Sequence, residues 1–247
     1  MKILSLAGLV LFMVASLVIG VRLLWLGRQR RAPELLMGIA LFVGGFLAFA
    51  LGTTGKLFLD VSETSRFALT LVGLGLEYTG NVAMVLFAWR VFHRRRLWAM
   101  AMATVFVVGA CTMLTLEIAT GEVLRYSDPL PIEGPWVPLA LGVRALAPTW
   151  LALECLRFHA NLRKRLKLGL AKRIVVQRVL LWGVGMLCVA AGYAISVAHR
   201  LIYATGITAH PWAVMAVSTC LLVSALSLGW AFFPPESYRR RMEEDES

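Results

Sequence analysis

Seven separate apolar runs, each about 20 residues long, constrain this chain more than any other feature. They fall at 3–26, 35–52, 67–92, 97–116, 136–156, 175–197 and 211–233. A helix rising about 1.5 Å per residue needs about 20 residues to cross a hydrocarbon core of about 30 Å. Inside lipid the backbone has no water to bond, so each run must close its own hydrogen bonds as an α-helix. The ten-residue alternating strands of an outer-membrane barrel are missing. With 59% hydrophobic and only 16% charged residues in 247, the chain reads as an integral membrane protein. The expected fold is an all-α membrane protein, a seven-transmembrane helix bundle over residues 1–233 with a charged tail at 234–247. The first run is too long for a signal-peptide core and lacks a small-residue cleavage site, so it is expected to stay as the first helix.

The connections alternate in charge. "GRQRRAPE", "HRRR", "RFHANLRKRLKLGLAKR" and the tail "PPESYRRRMEEDES" are basic, whereas the three connections between them are not. Lys2, Lys56, Arg66, Arg125, Arg144 and Arg200 fall elsewhere, which leaves 19 of the 25 lysines and arginines on one side. By the positive-inside rule that side is cytosolic, so the N-terminus is expected outside and the C-terminus in the cytosol. The same placement accounts for the net charge of +11 without nucleic acid as a partner. Short arginine-rich loops and the lack of any Asn-x-Ser/Thr site point to a bacterial cytoplasmic (inner) membrane. The basic loop segments are short against the roughly 50 residues of a small domain, so any cytosolic output has to pass through a partner.

Charged residues inside the runs mark candidate sites, because an unpaired charge at the membrane centre costs at least a few kcal/mol. Glu77 lies in the third run and Arg144 in the fifth, at similar depth from the same surface, so the two are expected to pair. Gly73, Glu77 and Asn81 share one helical face, with Tyr78 adjacent. In "VRALAPTWLALE" Arg144 precedes Pro148 by four residues, and Trp150 follows within a turn as a cavity wall. Glu77, Asn81, Arg144, Tyr78 and Trp150 are therefore the expected ligand-binding set. Near the basic side, Glu154 is expected to bridge Arg90 and Arg178 as an inner polar network. His199, Arg200 and His210 gather at the opposite mouth, near the acidic, proline-rich connector that begins at Glu117. Leu162, Leu166 and Leu170, set among basic residues, suggest a helix lying on anionic lipid headgroups or meeting a partner.

Seven helices in this orientation resemble the rhodopsins and receptor-type sensors in topology. Retinal chemistry needs a lysine in the seventh run, and the lysines are Lys2, Lys56, Lys164, Lys167 and Lys172, so no cofactor of that kind is expected. The histidines His93, His159, His199 and His210 lie near run ends and the runs hold no aspartate, which argues against a zinc site. Cys111, Cys155, Cys188 and Cys220 lack metal-ligand spacing and read as small core residues. No catalytic constellation emerges. The leading expectation is a receptor-like or sensory protein that binds a small or lipophilic ligand in a midplane polar pocket and signals through a cytosolic or membrane partner. A proton-coupled transporter is the alternative, and an assembly partner of a membrane complex is the third reading.

Overall fold

The computed structural model describes residues 2–30, 33–57, 63–121 and 135–236. The acidic residues Glu122, Asp128 and Glu133, and the tail from 237 onward, lie outside them. Among the described residues every regular element is helical. The first helix, α1, is Lys2–Arg30. The second, α2, joins Glu34–Ile39, a π-helical Ala40–Leu47 and Ala48–Leu57. Then come α3 (Glu63–Phe92), α4 (Leu97–Ala119), α5 (Trp136–Lys167), α6 (Arg173–Tyr203) and α7 (Pro211–Phe232). All seven are long and apolar enough to cross a membrane, the signature of an integral membrane protein.

Several helices outrun their apolar stretches. Lys and Arg are good helix formers, so α5 continues to Lys167 instead of breaking into a separate surface helix. It stops where Gly169 turns to φ +70°, with the Leu170 N–H donating to the Arg165 carbonyl at 2.9 Å. That is a Schellman ending, and a side chain at Gly169 would strain it. Leu162 is buried, whereas Leu168 and Leu170 stand exposed at the tip.

Six of the helices form a ring in the order α1, α2, α3, α5, α6, α7, closing back on α1, while α4 packs outside it against α3 and α5. Close approaches set the α1, α2 and α3 side of the ring. A Cβ on Gly20 would meet the Phe42 backbone nitrogen at 2.7 Å, and one on Gly44 would meet Gly80 Cα at 2.7 Å. Only paired glycines let α2 and α3 cross this tightly. Helix α4 buries Ala99, Ala103, Phe106, Ala110 and Glu117, one stripe at helical spacing, and leaves the rest of its surface outward. Cys111 is on that outward surface, not in the core, while Cys155 is buried and Cys188 and Cys220 are half-buried. Helices α6 and α7 meet where a Cβ on Gly185 would touch Leu228 at 3.1 Å and the Ser224 carbonyl at 3.5 Å.

The arginine-rich end of the ring is filled with aromatic side chains. Trp182 of α6 packs on Phe87 of α3 and Phe232 of α7, with centroids 5.8 and 5.3 Å apart. The opposite end stays hollow.

Candidate functional site

Helix direction explains how four distant side chains come together. Cα–Cβ bonds tilt toward a helix N-terminus, so Glu77, Tyr78 and Arg144, on the parallel α3 and α5, lean toward the hollow end. Helix α4 runs the other way, so Glu117, two residues from its last residue Ala119, leans back to meet them. Arg144 Nη1 donates to Glu77 Oε2 and Nη2 to Glu117 Oε1, both at 3.1 Å. Its Nε reaches the Ala140 carbonyl at 3.3 Å, and the guanidinium lies 5.2 Å from the Tyr78 ring centroid.

The remaining carboxylate oxygens are also used. The Tyr78 hydroxyl donates to Glu117 Oε2 at 2.9 Å, and the Tyr193 hydroxyl donates across the ring to Glu77 Oε1 at 2.5 Å. The second contact has the length of a charge-assisted O–H···O⁻ bond. Two carboxylates face one guanidinium, so with both ionised the triad carries one net negative charge. Glu117 and Arg144 are sealed, with side chains 1% and 3% exposed, but Glu77 keeps 20%. Glu77 thus joins the closed triad to the hollow of the ring.

That hollow is a cavity of about 300 Å³ lined by all six ring helices and the α6–α7 turn, within the range of small-molecule sites. Along α2 its wall is the π-helical segment, contributing Ala40, Leu41, Gly44 and Gly45, with Phe49 just beyond it. Such widened turns recur at functional sites. Along α6 the wall runs from Met186 through Val189 and Tyr193 to Ser196 and Arg200. Spaced three and four apart, Tyr193, Ser196 and Arg200 share one face. Thr208, in the α6–α7 turn, both lines the cavity and is exposed, so the cavity reaches the surface there.

Comparison of the chain with family models, curated proteins and solved structures gives no match.

Glu77, Asn81 and Arg144 all line the cavity, and Asn81 is buried. Tyr78 does not; it stands behind Arg144 as a brace for Glu117. Trp150 is turned away from the cavity, and its indole N–H donates to Glu154 Oε1 at 3.3 Å. The bridge from Glu154 to Arg90 and Arg178 does not form, because both arginines point outward and are exposed. Glu154 Oε1 instead meets Arg157 Nη1 at 3.2 Å and lies 3.0 Å from His93 Nε2, a contact too poorly aligned to be a hydrogen bond. Glu117, expected to open a connector, belongs to α4 and to the core.

At the mouth, His199 Nε2 and His210 Nδ1 are 2.9 Å apart, with Tyr203 and Trp212 stacked around them. Ala204 adopts φ +51°, which ends α6 and starts the turn. Arg200, next to His199, is buried and lines the cavity. Tyr193 and the apolar walls Phe12, Phe49, Met84 and Met186 were not among the residues the sequence marks, and Ser196, which shares a face with Gly185 and Gly192, reads from the sequence as part of a close-packing seam and not as a site residue. For Tyr193 and Ser196 a signal existed: with Arg200 they form a polar stripe at helical spacing in an apolar run. Among the described residues no group of three or more His, Cys, Asp or Glu side chains is placed to hold a metal ion.

Proposed function

We propose that this is a receptor-like membrane protein whose ring cavity binds a small or lipophilic ligand, with the N-terminus and the mouth outside and the arginine-rich end in the cytosol. The observation that carries the reading is a cavity of about 300 Å³ with Glu77 on its wall, hydrogen-bonded to Tyr193 and tied through Arg144 to Glu117 on α4. A ligand that displaces the Tyr193 hydroxyl or Glu77 changes what holds Arg144, and hence what holds α4. Helix α4 leads back to the α3–α4 turn, where His93, Arg94, Arg95 and Arg96 stand at the basic end. Motion there is what a cytosolic partner would read. The skew of lysines and arginines supports the orientation and a bacterial inner membrane, and anionic headgroups would meet the basic loops.

The test is native mass spectrometry of the protein released from lipid nanodiscs, with wild type beside Met84→Trp, which fills the cavity from α3. A small molecule retained by wild type and lost in the variant supports ligand binding. An empty wild-type protein, with no copurifying molecule in an organic extract, removes the basis for it.

A proton-coupled carrier is favoured by one observation, the surplus carboxylate of the triad: a proton on Glu77 would balance Arg144 against Glu117 alone. Proton flux in proteoliposomes under a substrate gradient decides it. No movement in either wild type or Glu77→Gln rules the carrier out.

A further inference from the structure

The charged groups around the cavity are already engaged. Both oxygens of Glu77 accept hydrogen bonds, from Arg144 and from Tyr193, and Arg144 divides its donors among Glu77, Glu117 and the Ala140 carbonyl. Ser196 donates to the Gly192 carbonyl at 2.9 Å, one turn back along α6. Arg200, buried at the mouth, has an interaction of its own. With Glu77 and Glu117 ionised, these two carboxylates and the guanidiniums of Arg144 and Arg200 sum to zero charge. A charged ligand would unbalance that sum in an enclosed site, and would lose its hydration while the side chains of opposite sign are held by others.

Asn81 is different. It is 6% exposed, lines the cavity, and its amide hydrogen-bonds the Tyr193 hydroxyl. That hydroxyl gives its proton to Glu77, so toward Asn81 it can only accept, and the amide must turn an N–H to it. Among the described residues no other hydrogen bond of this amide is present. Its carbonyl oxygen and its second N–H are therefore left for a molecule in the cavity. On α3, Asn81 stands one turn below Glu77 and one turn above Met84. At about 1.5 Å per residue that is about 6 Å below the carboxylate and about 5 Å above a floor made by Met84, Met186 and Leu41.

We propose that the cavity takes an uncharged, compact and largely apolar molecule whose single polar group, an amide or an alcohol, both donates to and accepts from the Asn81 side chain. This rests on the ligand-binding reading above and names the chemical class of that ligand. An engineered cavity of about 150 Å³ lined by Leu, Ile and Phe binds benzene, so about 300 Å³ has room for a ring with a short side chain. The ring meets the two thioethers of the floor, which are favourable partners for an aromatic face or edge. Asn81 sets specificity, while the charged side chains hold one another and fix the shape of the wall.

Matched eight-carbon probes test it: radiolabelled phenylacetamide, phenylacetate, phenethylammonium and ethylbenzene, in equilibrium dialysis against the protein in phosphatidylcholine nanodiscs, with empty nanodiscs as background. Saturable phenylacetamide binding at least about ten-fold tighter than that of either ion is the expected result. Asn81→Leu, close in size and without hydrogen-bonding atoms, should weaken phenylacetamide about ten-fold and leave ethylbenzene unchanged or tighter. Retained ethylbenzene binding shows that the cavity is intact in the variant. Because Asn81 is buried and its replacement can disturb folding, Asn81→Ser is the second variant. Smaller and still hydroxylated, it should lose phenylacetamide affinity several-fold and keep that for ethylbenzene.

Either ion binding as tightly as phenylacetamide would overturn the assignment of an uncharged ligand. Phenylacetamide binding indifferent to both variants, or ethylbenzene lost in step with phenylacetamide in both, would remove Asn81 as the specificity-determining group and the proposal with it. The mass-spectrometric result would stand or fall separately. No saturable binding of any probe also overturns this proposal, and the ligand-binding reading falls with it only if wild-type protein is empty in that experiment.

Discussion

Replacing Arg144 by methionine removes the one cation from a triad whose other two members are carboxylates. The side chain is 3% exposed and donates to Glu77 and Glu117 at 3.1 Å each. Without it Glu117, itself 1% exposed, keeps the Tyr78 hydroxyl but loses the guanidinium that separates it from a second carboxylate. Breaking a buried ion pair by removing one partner costs about 3–5 kcal/mol in water-soluble proteins. Interhelical hydrogen bonds in a bilayer average only about 0.6 kcal/mol, because the dissociated helices find other partners. A buried carboxylate that loses its guanidinium costs more than a lost neutral hydrogen bond, so the cost should lie near the lower end of the first range, about 3 kcal/mol, or roughly a hundred-fold in the unfolding equilibrium. The assay is SDS-induced unfolding in bicelles followed by tryptophan fluorescence, for Arg144→Met, Glu117→Gln and the double variant. Neutralising the carboxylate that faced Arg144 should make the double variant more stable than Arg144→Met by about 1–2 kcal/mol, a non-additivity expected of groups in direct contact. A loss below about 1 kcal/mol for Arg144→Met, or single effects that sum within about 0.5 kcal/mol, would refute the triad as a coupled unit.

Three further outcomes follow from the packing and the charge pattern. Gly80→Ala should destabilise by more than about 2 kcal/mol, because its Cβ would enter the Gly44 backbone, while Gly75→Ala, with open space around it, should be neutral or stabilising by up to about 1 kcal/mol; thermal unfolding in detergent compares them. In a cysteine-free background, Leu170→Cys at the exposed tip of the α5–α6 turn should react with a membrane-impermeant maleimide only after permeabilisation, and Thr120→Cys should react in intact cells; the reverse pattern would invert the proposed orientation. Tyr193→Phe should leave the fold intact and weaken ligand retention several-fold in mass spectrometry, and unchanged retention would remove Tyr193 from the site.

Helix number and placement were legible because burial in lipid enforces one simple rule, about 20 apolar residues per crossing, and this chain obeys it seven times. The contact between Glu77 and Arg144 was legible for a related reason, since two charges at one depth in lipid have few other solutions. Glu117 was not, because depth counted along the backbone puts it at the very end of α4. Only side-chain lean, opposite in α3 and α4, brings it to Arg144. Arg90 and Arg178 failed as partners of Glu154 for want of azimuth: depth says nothing about the side of the helix on which a residue stands. The cavity was the least legible feature. It depends on the π-helical turn of α2 and on the Gly44 and Gly80 crossing, neither of which has a hydropathy signal.

The position of α4 gives the triad a mechanical meaning. Helix α4 is outside the ring, touches α3 and α5, and exposes most of its surface. Toward its C-terminal end Glu117 is fixed by Arg144 and Tyr78, and at its other end it continues into the arginine-rich turn. A helix held at one end by two polar contacts and along its length by an alanine-rich stripe is a natural lever. Glu117→Gln should loosen that end while sparing the α6 and α7 pair. Spin labels at exposed positions, Thr112→Cys with Ile202→Cys, report the first distance by pulsed electron resonance, and Ile202→Cys with Trp230→Cys the second. The expected result is a broadened distribution for the α4 pair and an unchanged one for the α6–α7 pair. If Glu117→Gln leaves both distributions as they are in wild type, the alanine stripe alone holds α4, and the triad is a static clamp that no ligand in the cavity can use to move that helix.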